Sequence, residues 1–150
     1  MKTASLLALL ALASGALIPV QAAANAALSR SIQGNVPFAA LTLFLVAALA
    51  TTLAVIGAGS PVPSGLELRS APWWSYSGGL IVAFYVLTIT FLAPRLGVGN
   101  AIALVVTGQV LSALTIDHFG LLRSLTFPLT ASRLLGAGLM IAGVFLALRR

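Results

Sequence analysis

The chain has 150 residues, of which 60% are hydrophobic and only 7% are charged, and its formal net charge is +6. Soluble domains carry roughly 25% charged residues, so water is not the solvent for most of this surface. The absence of cysteine excludes a disulfide framework and a thiolate metal site. We therefore expect an integral membrane protein with a single transmembrane domain over residues 1–150, in contact with the lipid bilayer.

The eight basic and two acidic residues divide the chain into long uncharged intervals. They are Lys2, Arg30, Glu67, Arg69, Arg95, Asp117, Arg123, Arg133, Arg149 and Arg150. Because the basic residues are scattered singly apart from one terminal pair, they indicate membrane-edge anchors and no nucleic-acid partner. A helix of about 20 apolar residues crosses the hydrocarbon. We predict an all-α integral membrane protein with five transmembrane helices, at about 3–27, 37–59, 73–93, 98–116 and 130–148.

The connections between these helices contain the usual chain-breaking residues. Gly34 to Pro37 separates the first two helices, residues 59–65 read as a plain loop, and Pro94 to Gly97 allows only a very tight turn. Glu67 then reads as a solvated charge in a polar loop. The last helix reaches full length if Arg133 extends its guanidinium to the membrane edge.

The first apolar segment has a second interpretation. Lys2, the run from Ala4 to Ile18 and the small residues at 22–24 also resemble a cleavable secretory signal. The apolar run continues through Leu28, however, and a secretory signal is usually shorter. A first transmembrane helix is therefore the preferred prediction.

The basic residues do not favour either orientation in the membrane. Five spans place four of them on each side, namely Lys2, Arg69, Arg123 and Arg133 against Arg30, Arg95, Arg149 and Arg150. Since the bias of Lys and Arg sets orientation, a chain without bias is expected to insert both ways. This predicts an antiparallel, dual-topology dimer, whose two-fold axis would make inward-open and outward-open states equivalent. The alternative is a weak residual preference for one orientation.

A family resemblance is carried by motifs in the third and fourth helices. These are Pro72-Trp73-Trp74-Ser75-Tyr76-Ser77-Gly78-Gly79, Ala83-Phe84-Tyr85-Val86, Leu92-Ala93-Pro94-Arg95-Leu96-Gly97, Gly108-Gln109 and Ile116-Asp117-His118-Phe119-Gly120-Leu121. In order and spacing they resemble the YdcZ-like family of the drug/metabolite transporter superfamily. The resemblance implies five helices, an inner (plasma) membrane location, pairing with an identical or homologous chain, and an export role.

One feature departs from the small multidrug exporters of that superfamily. Those proteins place a glutamate in the first helix to bind proton and cation in competition, whereas the first helix here contains no acid. Its side-chain amides are Gln21 and Asn25, one turn apart on the same side. The departure makes cation/proton exchange of that type doubtful.

Polar groups within a span are candidates for function because they are costly in hydrocarbon without a partner. We predict a solute site between the first and fourth helices near the midplane, built from Gln21, Asn25 and Gln109, with Tyr85 and Trp74 as aromatic neighbours. Such amides suit a neutral or zwitterionic solute. The alternatives are that the amides pair with one another as packing contacts, and that Trp74 is an interfacial anchor.

Two further groups have both a functional and a structural interpretation. Asp117 and His118 close the fourth helix, where they would relay protons or, more simply, fix the next connection or pair with Arg123, Arg95 or a partner subunit. In the last helix the small residues permit close helix packing, within a subunit or in a dimer. They are Ser132, Gly136, Gly143 and Ala147.

The numbers of ionisable residues and the motifs in the sequence distinguish the possible classes of function. With one histidine, two acids and no phosphate loop, the sequence predicts no enzyme, no cofactor and no metal site. The favoured function is a transporter subunit that exports a small organic molecule by alternating access. The alternatives are a passive channel, which would need a continuous polar lining, and a non-transporting assembly subunit.

Overall fold

The computed structural model describes residues 2–148, with side chains from Ala4 onward. The helices are α1 (Lys2–Ser31), α2 (Val36–Gly57), α3 (Gly65–Ser70), α4 (Gly78–Leu96), α5 (Val98–Phe119) and α6 (Ala131–Leu148). Short 3-10 helices precede α4 (Trp73–Ser77) and follow α5 (Leu121–Arg123). Within the described chain, five of these segments are long and apolar enough to cross a membrane, which confirms the predicted number of spans. Arg149, Arg150 and the side chain of Lys2, all used in the charge count, lie outside the described residues.

Three of the predicted helices end too early because charged residues and a proline were taken as helix ends, and one of them is α5, which continues past residue 116 to Phe119. α1 continues past residue 27 to Ser31, so that Arg30 lies in its last turn, where a positive charge is favourable. α4 continues through Pro94 to Leu96. The turn before α5 is therefore the single residue Gly97, whose φ of +84° favours glycine.

The connection between α2 and α4 is more ordered than the plain loop predicted. The Ser64 side chain accepts a hydrogen bond from the Glu67 backbone N–H, and the Glu67 carboxylate accepts one from the Ser64 backbone N–H at 2.7 Å. This capping box begins the short helix α3. The hydrogen bonds from the backbone and then the hydroxyl of Ser64 lower the pKa of the Glu67 carboxyl. Glu67 is therefore exposed to solvent, as predicted, and it also caps α3.

The described chain divides into two units, one ending at Arg95 and the other beginning at Leu96. In the first unit, the buried positions are dominated by alanine, which lets helix backbones approach closely. They are Ala22, Ala26, Ala39, Ala40, Val86, Ile89 and Ala93, together with the polar residues Asn25, Ser29 and Thr90. The second unit contains α5 and α6 joined by a loop whose hydrogen bonds are described below.

Candidate functional site

A buried hydrogen bond joins α1 to α4 in the first unit. The Asn25 Nδ2 group donates to Thr90 Oγ1 at 2.7 Å, and the two residues are 4% and 0% exposed. In α1, Asn25 lies in a buried row with Ala22, Ala26 and Ser29, at the spacing that marks one helix side. The apolar positions of this row are all alanine, so the Asn25 amide reaches the neighbouring helix.

This hydrogen bond shows which positions along α1 and α4 lie side by side. α1 and α4 run in the same direction across the membrane because α2 is the span between them. Asn25 precedes Arg30 by five residues, and Thr90 precedes Arg95 by five. Each member of the bonded pair therefore lies about 7.5 Å along its helix from an arginine that the sequence predicts at the membrane edge.

Two polar groups without partners among the described residues lie about one helical turn farther from the arginines, one on α1 and one on α4. Gln21 precedes Asn25 by four residues and Tyr85 precedes Thr90 by five, which places both about 6–7.5 Å beyond the hydrogen bond. Gln21 Nε2 and Tyr85 Oη are enclosed, and neither has a hydrogen-bond partner among the described residues. At about 14 Å from the arginines, this level is close to the middle of a hydrocarbon layer about 30 Å thick.

The Gln21 side chain also lines a cavity of about 460 Å³ beside α1 and α2. The lining residues are Gln21, Ala24, Asn25, Leu28, Thr42, Leu43, Val46, Ala47 and Ala50. The Thr42 hydroxyl donates to the Phe38 carbonyl oxygen at 2.9 Å, and Asn25 donates to Thr90. Of the polar side chains in the lining, Gln21 is therefore the one with an uncommitted amide nitrogen. The cavity has the volume of a site for a small organic ligand.

The other predicted solute-site residues lie elsewhere. Trp74 is half-buried in the 3-10 helix before α4, about 16 Å along the chain from Tyr85, so the two rings do not form one wall. Gln109 belongs to the second unit, near the middle of α5. It is exposed and makes no hydrogen bond in the described part of the chain. Its meeting with Gln21 stays a prediction.

Thr90 is the site residue that sequence reasoning missed. A threonine within a helix usually attracts no attention, because its hydroxyl can bond the carbonyl one turn earlier. The equal spacing of Asn25 to Arg30 and of Thr90 to Arg95 is the signal that would have indicated this pair.

Asp117 and His118 hold the connection between α5 and α6. Asp117 Oδ2 pairs with the Arg133 guanidinium at 2.6 Å, and the Asp117 carbonyl accepts from the Phe127 N–H at 2.9 Å. His118 Nδ1 accepts from the Leu129 N–H at 3.2 Å. Asp117 and His118 thus fix the connection to α6, which was one of the predicted alternatives. The arginine that pairs with Asp117 in this unit is Arg133 and not the predicted Arg123, because the loop folds the first turn of α6 back onto the end of α5. A proton relay at this position stays a prediction.

The row of small residues in α6 is on the outside of the second unit. Ser132, Gly136, Gly143 and Ala147 are all exposed, and no neighbouring atom of the described chain lies within 4 Å of a Cβ added at either glycine. Ala137, on a different side of α6, is the buried residue of this helix. The row therefore packs against nothing in the described chain, and a role in dimer contact stays a prediction.

Comparison with known proteins gives one match that covers almost the whole chain. The family model described as "Putative inner membrane exporter, YdcZ" matches residues 6–146. The match confirms the resemblance predicted from the motifs of the third and fourth spans. No curated protein and no solved structure matches the chain.

Proposed function

Because the chain belongs to the YdcZ family of multi-pass inner membrane proteins described as exporters, we propose that it is one subunit of an antiparallel dimer that exports a small organic solute by alternating access. The observation that carries the proposal is the pair of enclosed polar groups, Gln21 Nε2 and Tyr85 Oη, that have no hydrogen-bond partner among the described residues. Their distances along the helices from Arg30 and Arg95 support a position near the midplane.

The contrast with the neighbouring pair favours a binding site over simple packing contacts. Polar residues that only hold helices together satisfy each other, as Asn25 and Thr90 do at 2.7 Å. One turn away, Gln21 Nε2 and Tyr85 Oη have no hydrogen-bond partner in the part of the chain that the structure describes. Since an unpaired polar group in hydrocarbon is costly, water fills this position in the empty state and solute replaces it.

A passive channel fits the described residues less well. Channels line their pores with continuous rings of carbonyls or charged side chains. The cavity beside α1 and α2 has three polar residues, Gln21, Asn25 and Thr42, and its remaining lining is apolar. An isolated polar level between apolar surfaces is instead typical of a transporter site at the midplane.

The balanced distribution of basic residues supports the dimer part of the proposal. Four on each side give no preferred orientation, so two copies can insert oppositely. Gln109, exposed near the middle of α5 without a partner, then needs cover from protein or water. In the proposed transporter Gln109 completes the solute site.

Efflux from proteoliposomes tests the function. Vesicles with purified protein are loaded with a library of small organic solutes, and the retained solutes are measured by mass spectrometry against protein-free vesicles. We expect a subset to leave faster, and Gln21→Leu and Gln109→Leu to abolish this difference. Thr51→Val is the matched control, because Thr51 is exposed on α2 and bonds its own helix.

The outcomes separate the candidate functions. Unchanged efflux in both leucine variants would mean that the amides are packing contacts and that the site is misplaced. If no solute leaves faster with the wild-type protein, the non-transporting assembly subunit is the better explanation.

Orientation is tested separately by single-cysteine labelling at the C-terminus in intact cells. Labelling from both membrane faces is expected. Two lysines added at one end should convert the mixture to one orientation. Labelling from one face alone would contradict dual insertion.

A further inference from the structure

The charged groups of the chain are absent from the candidate site. None of the nine residues that line the cavity is ionisable. The nearest basic residue along α1 is Arg30, about 13 Å along the helix from Gln21 and two residues beyond Leu28 at the end of the lining. A charged solute would therefore lose its hydration at this level without gaining an opposite charge.

Both acids of the chain are already engaged elsewhere. Glu67 accepts hydrogen bonds from the Ser64 backbone and hydroxyl at 2.7 and 2.8 Å, in the connection outside the spans. Asp117 is paired with Arg133 at the end of α5. Since the sequence contains no third acid, no carboxylate remains to neutralise a cation in the cavity.

The polar groups that remain select a particular kind of neutral partner. The amide nitrogen of Gln21 is a donor, and its terminal torsion is soft enough to turn toward the cavity. The hydroxyl of Tyr85 on α4 can also donate, but Tyr85 is not one of the residues that line the cavity. The rest of the lining is aliphatic, apart from Asn25, whose amide nitrogen donates one N–H to Thr90 and keeps a second, and Thr42, whose hydroxyl donates to Phe38.

From this we infer that the solute taken by the site is uncharged, with an apolar body and a hydrogen-bond acceptor such as a ketone, ester or amide carbonyl that meets the Gln21 amide. The inference rests on the proposed function, whose site it specifies. It excludes organic cations and zwitterions, which would leave at least one charge unpaired in hydrocarbon.

Photolabelling with benzophenone, a neutral diaryl ketone, tests the inference directly. The purified protein in lipid nanodiscs is irradiated with the probe, and labelled peptides are mapped by mass spectrometry. Labels are expected on α1 and α2 at the cavity lining, at residues such as Leu28 and Val46. Three competitors share a naphthalene ring and differ in their side group, which is a ketone, a hydrocarbon or a cation. They are 2-acetylnaphthalene, 2-ethylnaphthalene and 2-naphthylmethyl-trimethylammonium.

We expect the ketone to displace the label at about one tenth of the concentration needed for the hydrocarbon, because one hydrogen bond in an apolar site is worth about a factor of ten. The cation should not displace it. Gln21→Leu should remove the advantage of the ketone, and Thr51→Val should keep it. Gln21→Glu, which retains the side-chain size, should admit the cation.

The remaining outcomes overturn the inference in distinguishable ways. Equal displacement by all three competitors would mean that the cavity accepts any apolar body, such as a lipid chain. Displacement by the cation in the wild-type protein would refute neutrality while leaving a transport site in place. If the ketone binds selectively but no neutral solute leaves the proteoliposomes, the proposed function is contradicted. The inference that the cavity binds a neutral hydrogen-bond acceptor would still hold.

Discussion

Removing the Thr90 hydroxyl is the sharpest test of how the first unit is held together. Thr90→Val keeps the branched shape and leaves the Asn25 Nδ2 group, whose residue is 4% exposed, without its acceptor. An orphaned buried donor costs about 1–3 kcal/mol, whereas interhelical bonds in membranes average about 0.6 and reach about 1.7 kcal/mol. Because Thr90 is fully buried, we expect a loss of about 1.5–2 kcal/mol in the free energy of unfolding.

The reverse substitution should be milder. In Asn25→Leu the Thr90 hydroxyl can turn to the carbonyl one turn earlier in α4, so we expect a loss of about 0.5–1 kcal/mol. The double variant should then be less destabilised than the sum of the single variants, with a coupling of about 1 kcal/mol.

Equilibrium unfolding in mixed micelles, titrated with dodecyl sulfate and followed by circular dichroism, measures all three variants. Thr51→Val serves as control and should change the free energy by less than about 0.5 kcal/mol, since its exposed hydroxyl bonds its own helix. Additivity of the two substitutions within about 0.3 kcal/mol would show that the 2.7 Å contact contributes nothing, and the depth assignment of Gln21 and Tyr85 would lose its basis.

Three other predictions concern the connections between helices. Gly120→Ala should destabilise the protein by about 1–2 kcal/mol, because φ is +60° and the added Cβ would lie 2.7 Å from the Thr126 hydroxyl. Adding Thr126→Ala should recover only the loss caused by the close contact, measured in the same unfolding assay. Full recovery would contradict the claim that the positive φ of residue 120 is costly for alanine. Since folding lowers the pKa of the Glu67 carboxyl, its stabilisation of α3 is complete above the unfolded-state pKa and disappears as the pH falls through the lower folded value. NMR titration of the α3 amides should show this change, and Glu67→Gln should remove it. Arg133→Leu should cost about 1 kcal/mol and exceed Asp117→Asn, because the pair is about one-third exposed and Arg133 also donates to a loop carbonyl. Equal losses in the unfolding assay would contradict a separate role for that carbonyl.

The sequence was sufficient for the spans because uncharged runs of 20 residues have few alternatives to a membrane helix. It was weaker at their ends. Proline at 94 was taken as a stop, yet α4 continues to Leu96, since transmembrane helices tolerate proline where neighbouring groups satisfy the freed carbonyl. The pattern of Ser64 followed three residues later by Glu67 predicts a capping box, and its short helix was overlooked in a segment read as loop.

For the candidate site, the sequence identified the amides and the structure supplied their pairing. Gln21 and Asn25 look equivalent in the sequence, one turn apart on the same helix. In the fold they differ. The Asn25 amide donates a hydrogen bond to Thr90, whereas the Gln21 amide nitrogen has no hydrogen-bond partner among the described residues. That difference depends on which residue of α4 lies opposite each amide, which no pattern within α1 encodes.

The bond between Asn25 and Thr90 also has a consequence for biosynthesis. Its two residues are 65 positions apart. At about 5–20 residues per second, a ribosome needs roughly 3–13 s to make Thr90 after Asn25 has been made. During that interval α1 enters the insertion machinery with the side-chain amides of Gln21 and Asn25. The Thr90 hydroxyl that accepts the Asn25 hydrogen bond has not yet been synthesised. Until that interval has passed, water or the translocon must supply the hydrogen bond that Thr90 later provides to the Asn25 amide.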